Sequence, residues 1–87
     1  MATVFIPTLL SGLTAGQAVV EVPGATVREL IDGLDALFPG LRERLMEDNR
    51  LRADLSFAVD GEVTPLGLIE KVGPASEVHF VMAIKGG

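Results

Sequence analysis

Residues 26–40, TVRELIDGLDALFPG, decide the fold. Thr26 is followed three residues later by Glu29, the spacing of a capping box, in which hydroxyl and carboxylate take up amides orphaned at a helix start. Val27, Leu30, Ile31, Leu34, Leu37 and Phe38 then recur at helical spacing and predict a single apolar stripe. Arg28, Glu29, Asp32 and Asp35 fall on the opposite, wet face. Pro39-Gly40 ends the run, because neither residue continues a helix well. Residues 41–47 predict a further short helical turn, with Leu41 and Leu45 facing the same way. An amphipathic helix must bury its stripe against a second layer, and the flanking sequence reads as a sheet.

Upstream, residues 3–6 are β-branched and aromatic, and Pro7 closes them. Residues 11–16 are small and polar, a turn or loop, and residues 17–22 form a valine-rich run ended by Pro23-Gly24. Two such runs across a Gly-containing connection predict a hairpin. Downstream, residues 49–54 are charged and read as a surface loop. Leu55, Phe57 and Val59 alternate with Ser56, Ala58 and Asp60, a half-buried strand. Asp60-Gly61 is a tight-turn dipeptide, and residues 62–64 are a short return strand that Pro65 keeps at an edge. Residues 66–72 have room for a helical turn, and residues 77–82 are a last strand. The order β-β-α-β-(β)-β predicts an α+β domain over residues 1–82, a mixed sheet of four or five strands on one main helix. Residues 83–87 are then a flexible tail ending in Gly-Gly.

Composition bounds the chemistry. A chain of 87 residues has room for one core, and without cysteine it has no disulfide, thiolate metal site or Cys nucleophile. Twelve acids against seven basic residues leave a charge of −5, and the arginines sit among acids, as in Arg42-Glu43-Arg44. Nucleic acid is therefore not an expected partner, whereas a protein with a complementary basic surface is. No apolar run approaches the ~20 residues needed to span a bilayer. The first residues lack a basic leader segment and are interrupted by Pro7, so the chain reads as soluble and cytoplasmic.

The carboxylates do not announce a catalytic cleft. Asp32 with Asp35, and Glu47 with Asp48, read as solvated helix faces. His79 is the sole histidine and lies mid-strand, a structural or surface residue sooner than a catalytic one. The glycines are spread over turns and make no phosphate loop; Gly33, inside the helix, costs up to ~1 kcal/mol against Ala and marks close packing on the sheet. Alternation puts Val4 and Ile6 of one strand, and Val78, Phe80 and Met82 of another, toward the core. Phe5, His79 and Val81 then share the far face. If the two strands are neighbours, that face carries an apolar docking patch; the alternative is a strand buried on both sides. Gly86-Gly87 present a terminal carboxylate with no Cβ on either residue, and five extended residues reach at most ~16–18 Å, enough to enter another protein's active site.

At these residues the chain resembles the MoaD/ThiS family of ubiquitin-like prokaryotic sulfur carriers, over essentially its whole length. The anchors are Val4-Phe5-Ile6-Pro7-Thr8-Leu9-Leu10, Thr26-Val27-Arg28-Glu29-Leu30, Phe38-Pro39-Gly40-Leu41, Val59-Asp60-Gly61-Glu62, Glu77-Val78-His79-Phe80 and the final Gly86-Gly87. Ile6-Pro7-Thr8 and Glu43-Arg44-Leu45-Met46 look most like the cysteine-biosynthesis carriers of that family. The resemblance implies a β-grasp fold and a protein co-substrate that is not itself an enzyme. An E1-like adenylyltransferase would couple the Gly87 carboxyl to ATP, and a sulfur donor would convert it to a thiocarboxylate for a sulfur-accepting biosynthetic enzyme. Gly86 supplies clearance; Phe5, His79, Val81, Ile84 and Lys85 are the docking candidates; ATP and Mg belong to the partner, and this chain binds no cofactor. A free monomer is the default. Many relatives have proline or small residues where this chain has Ile84-Lys85, and an arginine near Leu10-Ser11, which bears on partner choice. A modifier joined to lysines through Gly87, and a non-covalent binding module, are the rival readings.

Overall fold

The computed structural model describes residues 1–52 and 55–82. Its elements in chain order are β1 (Ala2–Phe5), a 3-10 helix (Thr8–Leu13), β2 (Val19–Val22), α1 (Val27–Leu37), α2 (Leu41–Leu45), β3 (Met46–Glu47), β4 (Arg50–Leu51), β5 (Leu55–Val59), β6 (Glu62–Val63), a 3-10 turn (Gly67–Ile69) and β7 (Glu77–Met82). Five strands form one mixed sheet in the order β2-β1-β7-β5-β6. The last strand is inserted at the centre, parallel to β1 and antiparallel to β5. This is the β-grasp arrangement that the family resemblance implies, and it agrees with the strand order read from the sequence. Residues 83–87, with the expected tail mobility, and the side chain of Met82, expected in the core, lie outside the described residues.

The core follows from the two periodicities. Ala2, Val4 and Ile6, Val20 and Val22, Leu55 and Phe57, and Val78 point inward at period two, against Val27, Leu30, Ile31 and Leu34 of α1. Phe80 is half-buried at the core margin, its ring edge-on to Phe57 at 4.7 Å. At Gly33 the sheet comes so near that an added Cβ would lie 2.4 Å from Val22 Cγ1. Close packing is the reason for that glycine. Asp60 and Gly61, with φ of 52° and 89°, make the tight β5–β6 turn read from the sequence.

Several local readings are corrected. The Thr26 hydroxyl does accept from Glu29 N at 3.3 Å, but the Glu29 carboxylate takes the amide of Ala25, at 3.1 Å, and not that of Thr26. The box therefore closes one residue early, beside a bridge opposite Lys71 in which Val27 N donates to Glu70 O and Val72 N to Ala25 O. Leu37 points in nearly the same direction as Leu30, seven residues back. It is nevertheless 56 % exposed, because an open groove lined by Gln17, Val19, Val20 and Phe38 lies beneath it. Residues 49–54 are not simply a loop: Met46 pairs with Leu51 and Glu47 with Arg50 around Asp48 and Asn49. Both turn residues have positive φ, as a two-residue hairpin turn demands, and Asp and Asn tolerate that conformation. Ala53 and Asp54, part of the same expectation, lie outside the described residues. The stretch read as residues 11–16 of turn begins earlier, as the 3-10 helix, and shortens β2 to four residues.

Asp35 is also more than a wet-face acid. Its Oδ1 accepts from Gly40 N and Arg42 N, both at 3.1 Å, and so caps α2 and seats the fully buried Leu41 and Leu45. Asp32 pairs with Arg42 at 3.3 Å in a half-exposed contact.

Candidate functional site

Among the described residues no helix covers the far side of the sheet, and the register fixes what stands there. Phe5 lies opposite Val19 on β2 and opposite His79 on β7. His79 lies opposite Ala58 on β5, and Ala58 opposite Val63 on β6. Val19, Phe5, His79, Ala58 and Val63 therefore form one transverse row across all five strands. The Phe5 and His79 rings stack in parallel, with centroids 4.2 Å apart and planes 2° from coplanar. The two ends of the row are open, Val19 at 49 % and Val63 at 59 % exposure. Val81 is half-buried on the same face, opposite Ser56, in the next row.

The two flanks of this row differ in charge. On one side Thr3 stands between Glu21 and Glu77 in register, and Glu77 N donates to Asp60 Oδ1 at 2.9 Å. That flank is acidic. On the other side stand Val81 and Ser56, both uncharged, toward the end of β7 from which the chain runs on to residues 83–87. An apolar ridge with one acidic rail suits a protein surface that offers apolar contact beside cations.

The docking candidates read from the sequence fall in two groups by position. Phe5, His79 and Val81 are brought together on one surface, as alternation requires once β1 and β7 are neighbours. Ile84, Lys85, Gly86 and Gly87 lie outside the described residues. Val19, Ala58 and Val63 were missed, since their membership depends on register across strands that sequence alone does not pair. Val19 had a signal: with Val20 and Val22 inward, Val19 and Glu21 must face out.

No acid, base and nucleophile converge on His79 among the described residues; its ring is packed on Phe5. Nor do three His, Cys, Asp or Glu side chains gather with metal-ligand geometry among the described residues. No helix among them is long and apolar enough to cross a membrane. What the face offers chemically is recognition, close to the strand that leads to the terminus.

Comparison with known proteins agrees with this geometry. A family model described as the ThiS family matches residues 7–87. The sulfur carrier protein CysO of Mycobacterium tuberculosis is 32 % identical over 90 aligned positions, covering 98 % of this chain and 97 % of that protein. A chain in the crystal structure of the Amycolatopsis orientalis BexX/CysO complex superposes with a TM-score of 0.92 at 32 % identity, with full coverage of both chains (100 %). SAMP1 from Haloferax volcanii superposes with a TM-score of 0.78 at 26 % identity, covering 99 % of this chain and 98 % of that one.

Proposed function

This chain belongs to the ThiS family, and from that premise we propose that it is a sulfur carrier whose working group is the carboxyl of Gly87. The observation that carries the proposal is the extent of the family match, which runs to residue 87 and so takes in the terminal Gly86-Gly87. The near-full-length identity to a sulfur carrier protein supports the same reading.

The chemistry starts from a poor electrophile, since a terminal carboxylate has a pKa near ~3.3 and is ionised at neutral pH. An E1-like enzyme brings this carboxylate to the α-phosphorus of ATP; an O–P bond forms and pyrophosphate leaves. Hydrosulfide then attacks the acyl carbon of Gly87, a C–S bond forms, and AMP departs with the electrons of the broken C–O bond. The product is a terminal thiocarboxylate whose sulfur a downstream enzyme transfers to a biosynthetic acceptor. ATP and Mg belong to the activating partner. This chain contributes a terminus without Cβ, and a docking face built on Phe5, His79 and Val81, with Ile84 and Lys85 as further contacts. The acidic rail of Glu21, Glu77 and Asp60 favours a basic counterpart on the activating enzyme.

The test is the intact mass of the protein isolated from its native host, together with a form lacking Gly87. A gain equal to exchange of one oxygen for one sulfur, absent from the shortened form, is the expected result. An unmodified terminus under sulfur-replete growth refutes the proposal. The likeness at 26 % identity to SAMP1, the small archaeal modifier protein 1 of Haloferax volcanii, favours a second reading, a modifier linked through Gly87 to lysines. High-mass adducts that disappear with Gly87 deletion distinguish it.

A further inference from the structure

On the helix side of the sheet, away from the Phe5–His79 row, two large aliphatic side chains stand in solvent. Leu66 is 53 % and Ile69 70 % exposed. They are the two ends of a four-residue turn through Gly67, closed by Ile69 N donating to Leu66 O. Both side chains line the same depression, so they stand on one side of the turn. Leu68, between them, packs on the core instead. Gly67, with φ of 58° and its Cβ position 3.6 Å from Leu51 Cδ1, holds the turn against β4. Pro65, Leu66, Ile69 and Leu51 line one shallow depression, with Arg28 and Arg50 at its rim.

The charges there run against the rest of the chain. The protein carries −5 overall, yet two of its seven basic residues meet at this apolar patch. Among the described residues the ion pair is Arg42 with Asp32, so neither rim arginine holds a carboxylate at contact distance. The Arg28 guanidinium donates only a long bond, 3.4 Å, to Asn49 O. Glu47 faces Arg50 across the β3–β4 ladder without closing an ion pair. Glu70, beside Ile69, is engaged elsewhere: it accepts from the Thr64 hydroxyl and, at 3.1 Å, from Lys71 N. An aliphatic pair beside two guanidiniums that hold no carboxylate among the described residues is complementary to aliphatic side chains flanked by carboxylates.

We propose that the depression of Pro65, Leu66, Ile69 and Leu51, rimmed by Arg28 and Arg50, docks a partner-protein segment that carries aliphatic residues flanked by Asp or Glu. It does not depend on the carrier reading, and it leaves the sheet face free for another protein. Two partners of opposite charge preference can then hold the domain at once.

Isotope-labelled full-length protein is titrated with a blocked helical peptide of Leu and Glu, a matched peptide of Leu and Lys, and phosphatidylcholine vesicles containing phosphatidylglycerol. The Leu/Glu peptide is expected to shift the amides of Arg28, Arg50, Leu51 and residues 66–69 and to spare Phe5 and His79. Leu66→Ala with Ile69→Ala, and Arg28→Glu with Arg50→Glu, each weaken that binding by about tenfold or more, as loss of a hot spot does. These side chains are exposed, so the variants fold. Equal binding of the Leu/Lys peptide, shifts confined to the sheet face, binding of vesicles without the Leu/Glu peptide, or no shifts at millimolar peptide each overturn the proposal.

Discussion

Replacing Gly33 with alanine sets two effects of known sign against each other. The helix gains, because alanine is favoured over glycine in a helix interior by about 1 kcal/mol. The packing loses: the new Cβ lies 2.4 Å from Val22 Cγ1, whereas carbon atoms in contact prefer about 3.5–4.0 Å. More than an ångström must therefore be recovered. Val22 is fully buried on β2 and β-branched, so it cannot simply rotate away. Behind it the Pro23 carbonyl oxygen is 3.7 Å from the same Cβ position. Overpacking of a tight core costs about 1–3 kcal/mol, and the rigid neighbour argues for the upper part of that range. Gly33→Ala should thus lose about 1–2 kcal/mol net, a fall of roughly 4–15 °C in Tm for a domain this small. Urea unfolding followed by circular dichroism measures it, with the midpoint shifted and the slope unchanged. The double variant with Val22→Ala should be more stable than the sum of the two singles by about 1 kcal/mol or more, because the second change removes the clashing methyl. Gly12, with nothing within 4 Å of its Cβ position, is the control and should accept alanine without loss. A neutral or stabilised Gly33→Ala protein refutes the close-approach account, and simple additivity with Val22→Ala refutes the assignment of the clash.

Three further outcomes follow from the same geometry. Asp35→Ala removes the acceptor of two amides at α2 and should cost about 1–3 kcal/mol in denaturant melts, whereas Asp32→Asn loses only a half-exposed ion pair and should stay within about 0.5 kcal/mol of wild type. Thr26→Ala should lose about 1 kcal/mol with the N-cap, and Thr26→Ser should restore most of it, again read by unfolding midpoint. Phe5→Ala removes the ring stacked on His79; under the proposed function, the KM for this chain in adenylation by an E1-like enzyme should rise about tenfold or more while kcat changes little, and an unchanged KM separates this face from docking.

Much of the fold was legible because strong local signals agree with one another. The Thr26–Glu29 spacing, the 3.6-residue stripe and Pro39-Gly40 delimit α1, and positive-φ demands explain Asp60-Gly61. What escaped was weak or non-local. The β3–β4 hairpin has two-residue strands, too short to show alternation, and turns on Asp48-Asn49 without glycine. The capping of α2 by Asp35 spans five and seven residues, a reach outside any local pattern. At the candidate site, Phe5, His79 and Val81 were placed on one face by parity alone, but the row that joins Val19, Ala58 and Val63 to them needed register.

By itself the amino-acid sequence determined which residues turn inward on each element, where the helix starts and stops, and that residues 86 and 87 are both glycine. Those are consequences of side-chain size, backbone freedom and periodicity, which act within a few residues. Only the tertiary structure decided that β7 enters the sheet between β1 and β5, laying His79 on Phe5 and acids along one flank of the row. It alone placed Arg28 and Arg50 beside Leu66 and Ile69. Strand neighbours are chosen by burial of the whole core, a sum over distant contacts that no short stretch of sequence carries.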